Sequence, residues 1–145
     1  MLLNIQLTKR VFMKKLLLTL LLATISTSAF AEWTLVAESI DGDKFYIDPA
    51  TMKKDEKYVT VTQMANYAIL QTASNKNWKS DISEIRFNCN NTNSLVMTVK
   101  LYAENNANGE LVASYKGGNE NDSQLIASDT SAALIFDYVC HTNIY

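Results

Sequence analysis

The chain has 145 residues, a formal net charge of −2, one histidine and two cysteines. That length fits one domain around a single core. The scarcity of His and Cys argues against a zinc site built from them. The acidic balance argues against nucleic acid, whose binding needs clustered Lys and Arg.

The first element is an export signal. Lys14 and Lys15 precede an apolar run from Leu16 to Ile25, then Ser26-Thr27-Ser28 and Ala29-Phe30-Ala31. A basic start, a short apolar segment and an Ala-x-Ala site predict a signal peptide over residues 1–31, cleaved between Ala31 and Glu32. The expected product is periplasmic or secreted. Met13 heads a more typical signal start than Met1. The apolar run is shorter than the roughly 20 residues a membrane helix needs, so no membrane span is expected after signal removal. No cysteine lies near the cleavage site, so no lipid attachment is expected either. Residues 1–31 hold four of the 13 bases and none of the 15 acids, leaving residues 32–145 with nine bases against 15 acids, formally −6.

Residues 32–145 are expected to form one domain. Trp33 to Ile40 alternates as a strand, with Trp33, Leu35 and Ala37 on one side. Asp41-Gly42-Asp43 supplies hairpin-turn chemistry. Lys44 to Asp48 continues as a second strand that Pro49 ends, since proline has no N–H for a ladder. Ala50 to Asp55 reads as a turn and Lys53 to Lys57 as a charged tip. Tyr58 to Met64 is a third strand, and Asn66 to Lys79 a longer connection without clear period. Ser83 to Cys89 points Ile85, Phe87 and Cys89 one way. Ser94 to Ala103 is the longest strand, with Leu95, Met97, Val99 and Leu101 inward. Leu111 to Lys116 returns, and Gly117 to Ser128 is polar and irregular.

Asp129 to Tyr145 reads as an amphipathic helix capped by Asp129 or Ser128. At 100° per residue, Ala132, Ile135, Phe136 and Val139 fall together, with Cys140 on their flank. Thr130, Asp137 and His141 fall opposite, joined by Leu134. Two cysteines in an exported chain predict one disulfide, Cys89–Cys140. The expected fold is α+β: an antiparallel sheet of about six strands, with a C-terminal helix packed on one face and tied by that disulfide.

No catalytic constellation emerges. His141 and Asp137 are spaced as an i,i+4 ion pair at a helix C-terminus, where positive charge is favoured. There is no Gly-x-Ser-x-Gly elbow and no Asp-x-Asp-x-Asp-Gly calcium loop. Gly117-Gly118-Asn119-Glu120-Asn121-Asp122 partly matches a calcium β-roll repeat, but it occurs once and reads as a surface loop. No enzyme activity, cofactor or metal is expected. Strand alternation puts Tyr46, Thr60, Thr62, Arg86 and Tyr102 on the outer face of the sheet. That face is the expected surface for a protein partner.

The order of features carries a resemblance. Trp33 opens the exported part, Tyr46-Ile47-Asp48-Pro49 ends the first hairpin, Val59-x-Val61 follows, and Phe87-x-Cys89 precedes a C-terminal Val139-Cys140. Over residues 33–140 the chain resembles the surface-adhesin protein E family of Gram-negative bacteria. The resemblance implies an antiparallel sheet with a disulfide-tied C-terminal helix, and an envelope protein that adheres to host proteins. It transfers no catalytic residue. The family's namesake is lipid-anchored, unlike the expected product here, and the tryptophan expected before the last helix is absent, with Gln124 standing near that place. The second functional expectation is a soluble periplasmic accessory or inhibitor protein.

Overall fold

A computed structural model describes residues 32–142. The expected signal peptide and the last three residues of the expected terminal helix lie outside them. Seven strands form one antiparallel, curled sheet: β1 (Thr34–Glu38), β2 (Lys44–Asp55), β3 (Tyr58–Ala73), β4 (Lys76–Asn88), β5 (Asn93–Tyr102), β6 (Leu111–Lys116) and β7 (Gln124–Leu125). The first six lie side by side in chain order, while β7 pairs with β5. β6 pairs with the Thr98–Tyr102 part of β5 and β7 with Asn93 and Ser94, so the two share one edge of that strand. Among the described residues one α-helix, α1, spans Ser131–His141. The fold is therefore mostly β, with a smaller helical share than the α+β expectation carries.

Tight turns explain the meander. Gly42 takes φ 89° in the β1–β2 turn, which the Ser39 N–H to Asp43 O bond closes at 2.8 Å. The β3–β4 hairpin turns on Ser74 and Asn75 at φ 49° and 61°. Two successive left-handed residues are the geometry that matches strand twist in a two-residue hairpin. The stretch expected to be a long connection, Asn66 to Lys79, is thus the distal half of this hairpin. Gln71, Thr72 and Ala73 pair with Trp78, Asn77 and Lys76.

Pro49 does not end β2. The strand runs on to Asp55, and its pairing with β3 is interrupted between Asp48 and Lys53. Side chains replace the missing ladder there. The Asp48 carboxylate accepts from Ala50 N at 3.0 Å, and the Thr51 hydroxyl donates to Asp48 O at 2.7 Å. The same hydroxyl accepts from Thr62 N at 2.9 Å, so this β3 donor is satisfied where the backbone ladder is interrupted.

Two bulges overturn same-face assignments. In β1, Leu35 pairs with Tyr46 and Ala37 with Phe45, leaving Val36 as the extra residue. Leu35 is consequently 49% exposed and Ala37 buried, although simple alternation places both on one face. In β5, Thr98 pairs with Glu84 and Val96 with Ile85, so Met97 is the extra residue. Val99 and Leu101 face one way and Leu95 the other, beside Arg86.

The main core joins Ile47, Val59, Val61, Ile85 and Phe87 of the sheet with Ile126, Ile135 and Val139. Phe87 and Phe136 meet edge to face at 6.2 Å between ring centroids. Ile126 comes from the segment expected to be only polar loop. Its N–H donates to Thr92 O at 3.0 Å, which anchors the returning chain. The N-cap of α1 is Thr130, whose hydroxyl accepts from Ala133 N, in place of the expected Asp129 or Ser128. Leu134 is 55% exposed, in line with its place among the polar residues of the helical wheel. Cys89 and Cys140 form the disulfide, with Cα atoms 5.6 Å apart.

Candidate protein-binding face

Residues paired across neighbouring strands point to the same side of a sheet. Register therefore assigns each outer-face residue. One row runs Leu35, Tyr46, Met64, Ile82, Lys100, Ser114. The next runs Asp48, Thr62, Glu84, Thr98, Lys116. Beyond it lie Lys53, Thr60, Arg86 and Leu95, and on the other flank Glu38, Lys44, Asn66, Ser80, Tyr102 and Leu111. Tyr46, Thr60, Thr62, Arg86 and Tyr102 thus share one face, opposite Ile47, Val61 and Phe87. All five are half-buried.

Two loops fold onto the ends of this face. A 3₁₀ turn at Asn105–Ala107 sits over Asn66 and Ser80. Asn66 exchanges bonds with Asn106 at 2.7 Å, while the Ser80 hydroxyl donates to Glu104 O and accepts from Ala107 N. At the other end a 3₁₀ turn at Glu120–Asp122 brings Glu120 within 3.0 Å of Arg86 Nη2. Arg86 also lies 5.0 Å from the Tyr58 ring centroid, and Lys57 Nζ lies 5.2 Å from the same centroid. A cation over an aromatic face is attracted by the ring quadrupole.

This face carries charges of both signs. Lys44, Lys53, Arg86, Lys100 and Lys116 lie on it beside Glu38, Asp48, Asp55 and Glu84, and Glu120 reaches it from the loop. Among these acids Asp48 is buried and engaged by Ala50 N. The alternation singles out Arg86 but misses Tyr58 and Leu95. Tyr58 begins the same Tyr58, Thr60, Thr62 alternation and is legible in it. Leu95 is hidden by the Met97 bulge.

Two titratable clusters lie elsewhere. On the opposite face Asp81 is 6% exposed and accepts from Tyr67 Oη at 2.5 Å and from Ser83 Oγ at 2.8 Å. Burial pushes the Asp81 carboxyl above its ordinary value, an effect its two hydrogen bonds oppose. Burial and the neighbouring Asp81 charge push the Tyr67 hydroxyl well above the ordinary tyrosine range. With its carboxylate occupied by two local donors, Asp81 is a buried polar anchor. His141 Nδ1 meets Asp137 Oδ1 at 2.7 Å, with both side chains at least 70% exposed, as the i,i+4 reading expects. Among the described residues, no three His, Cys, Asp or Glu side chains are grouped to hold a metal ion.

Comparison with known proteins agrees with this architecture. The Surface-adhesin protein E family model matches residues 33–141. A crystal form of Haemophilus influenzae protein E superposes with a TM-score of 0.58 at 16% identity, covering 79% of this chain and 91% of that one. A selenomethionine form of the same protein gives 0.55 at 16% identity, over 79% and 89%. A third structure of protein E gives 0.53 at 14% identity, over 79% and 87%. At such identities the likeness is one of fold. No curated protein sequence matches the chain. With the family pattern running from before β1 to the last residue of α1, the chain belongs to the surface-adhesin protein E family.

Proposed function

We propose that the chain is an exported, non-enzymatic envelope protein that binds another protein through the face bearing Tyr46, Thr60, Thr62, Arg86 and Tyr102. The observation that carries this reading is the division of labour between the two faces, within a family named for surface adhesion. One face contributes Ile47, Val59, Val61, Ile85 and Phe87 to the core that α1 shares. In this reading α1 is a lid across that inner face, held by the disulfide, and leaves the opposite face to partners. Half-buried tyrosines and an arginine are the residue types that dominate binding energy at protein interfaces. Residues 1–31 act as a cleaved signal and deliver residues 32–145 to the envelope.

Two measurements test the reading. Intact cells are treated with protease or labelled with immunogold against residues 32–145; signal without opening the outer membrane is expected. Signal only after opening it would refute surface adhesion and favour the soluble periplasmic reading, for which the absence of cysteine from residues 1–31 speaks. Capture of a partner by the purified domain should fall with Tyr46→Ala and Tyr102→Ala. Undiminished capture in both variants would move the interface elsewhere.

A further inference from the structure

At one end of the outer face is a cavity of about 180 Å³. Tyr58, Arg86, Asn88 and Leu95 line its sheet side, and Glu120 lines it from the loop. Its volume is well below the roughly 300–1,000 Å³ of a cofactor or drug-sized site. It is the size of one side chain. Leu95, 5% exposed, closes the apolar floor of this cavity. Asn88 Oδ1 already accepts from Asn90 N at 3.1 Å, which leaves its Nδ2 as the donor end.

The charges in this cavity are unequal in kind. Arg86 is built in: it stands on a central strand, 26% exposed, with its guanidinium against the Tyr58 ring. Lys57 brings a second positive charge to that ring. The acid that answers them, Glu120, is 74% exposed and comes from a three-residue turn without a side-chain cap. A guanidinium presents five N–H donors in a fixed fork that matches a carboxylate, and Glu120 meets it through a single recorded pair. An ion pair with one exposed partner contributes little, so a carboxylate from outside displaces Glu120 at small cost.

From these observations we infer that the Arg86 cavity is a receptor for an acidic side chain of a bound peptide, and that Glu120 occupies it in the free protein as an internal stand-in. This deepens the face proposed above and rests on it. The ligand's methylenes lie on Leu95 and Tyr58, and its carboxylate takes the Arg86 fork. Glu120 thereby acts as a weak gate, since its carboxylate must leave before the partner's arrives.

The test uses residues 32–145 with the disulfide intact, titrated with acetyl-Glu-amide, acetyl-Gln-amide and inorganic phosphate. Binding is followed by NMR through the Asn88 side-chain amide and the Arg86 guanidinium. Acetyl-Glu-amide should shift both and the glutamine analogue neither. Glu120→Gln should tighten acetyl-Glu-amide by about threefold, the release expected from an exposed ion pair. Arg86→Gln should abolish the shift at Asn88, and Arg86→Lys, which keeps the charge but loses the fork, should weaken it. An unchanged melting transition in Glu120→Gln confirms that the gain is not a folding effect. Equal binding of the glutamine analogue, equal binding of phosphate, or no gain in Glu120→Gln would each overturn the inference. Probe binding at Arg86 with undiminished partner capture in Tyr46→Ala and Tyr102→Ala would count against the wider face alone. Loss of capture in those variants with no probe binding would overturn only the Arg86 receptor.

Discussion

Replacing Cys140 by serine should lower stability by about 4 kcal/mol, and the structure says how that loss divides. The bridge closes a loop with a sequence separation of 51 residues. In the chain-entropy model such a loop restricts the unfolded state by about 4 kcal/mol at 25 °C. For a domain of about 110 residues, about 4 °C is lost per kcal/mol, so Tm should fall by about 15 °C. The helix should nevertheless stay docked at room temperature. An 11-residue helix is marginal alone, but Ile135 and Val139 are buried at 3% and 2% exposure. Burying two such side chains contributes about 3–6 kcal/mol, comparable with the lost staple. Differential scanning calorimetry with and without reductant measures the first effect. Hydrogen exchange on Cys140→Ser measures the second, with faster exchange over Ser131–His141 and little change in β3 and β4. An unchanged Tm would refute the staple, and complete loss of protection across β3 and β4 at 25 °C would refute the docking.

Three further outcomes are expected. A Cβ on Gly117 would sit 2.4 Å from Val96 O, a backbone atom at the β5 bulge, so Gly117→Ala should cost about 1–3 kcal/mol in chemical denaturation; a neutral result would mean that the bulge yields freely. Thr51→Val removes the acceptor of Thr62 N and the donor to Asp48 O, and should cost about 1–3 kcal/mol by the same measurement; no loss would show that water replaces the hydroxyl. Because burial raises the folded-state pKa of Asp81, its contribution is fully present below the unfolded aspartate value and lost as pH rises through the folded one. Asp81→Asn should flatten that fall in a Tm–pH series across the acidic range, and an identical pH profile would refute the assignment.

The parts of the fold that are legible in the sequence are those where local chemistry and global structure agree. Ile85 and Phe87 alternate with charged and polar neighbours, and both are buried. The helical stripe of Ile135 and Val139 beside Cys140 likewise needs only a 100° step. What is illegible depends on partners distant in sequence. Pro49 signals a strand end, but the Thr51 hydroxyl bonds Thr62 across the gap and pairing with β3 resumes at Lys53. A single extra residue at Val36 or Met97 exchanges the two faces of everything beyond it, and no local signal marks either position. Ile126 stands in a short apolar run, Leu125-Ile126-Ala127, after a polar stretch. The cluster that buries it draws Ile47 and Val61 from strands far earlier in the chain, so nothing nearby in sequence announces its place.

The candidate site follows the same logic one level up. Alternation alone groups Tyr46, Thr60, Thr62, Arg86 and Tyr102, since side chains two residues apart share a face. It does not say which residues stand side by side across strands, because that needs the register. The paired rows place Lys44, Lys53, Arg86, Lys100 and Lys116 in neighbouring rows of one side. Residues 32–145 carry a formal charge of −6, so these five bases are more than half of the nine available. On the proposed reading, Arg86 is the one of these charges that an acidic partner side chain meets directly. The opposite face gives its side chains to the core shared with α1, beside the disulfide. On the proposed reading, stability and recognition rest on different residues of the same strands, with Thr60 and Thr62 alternating with Val59 and Val61 along β3.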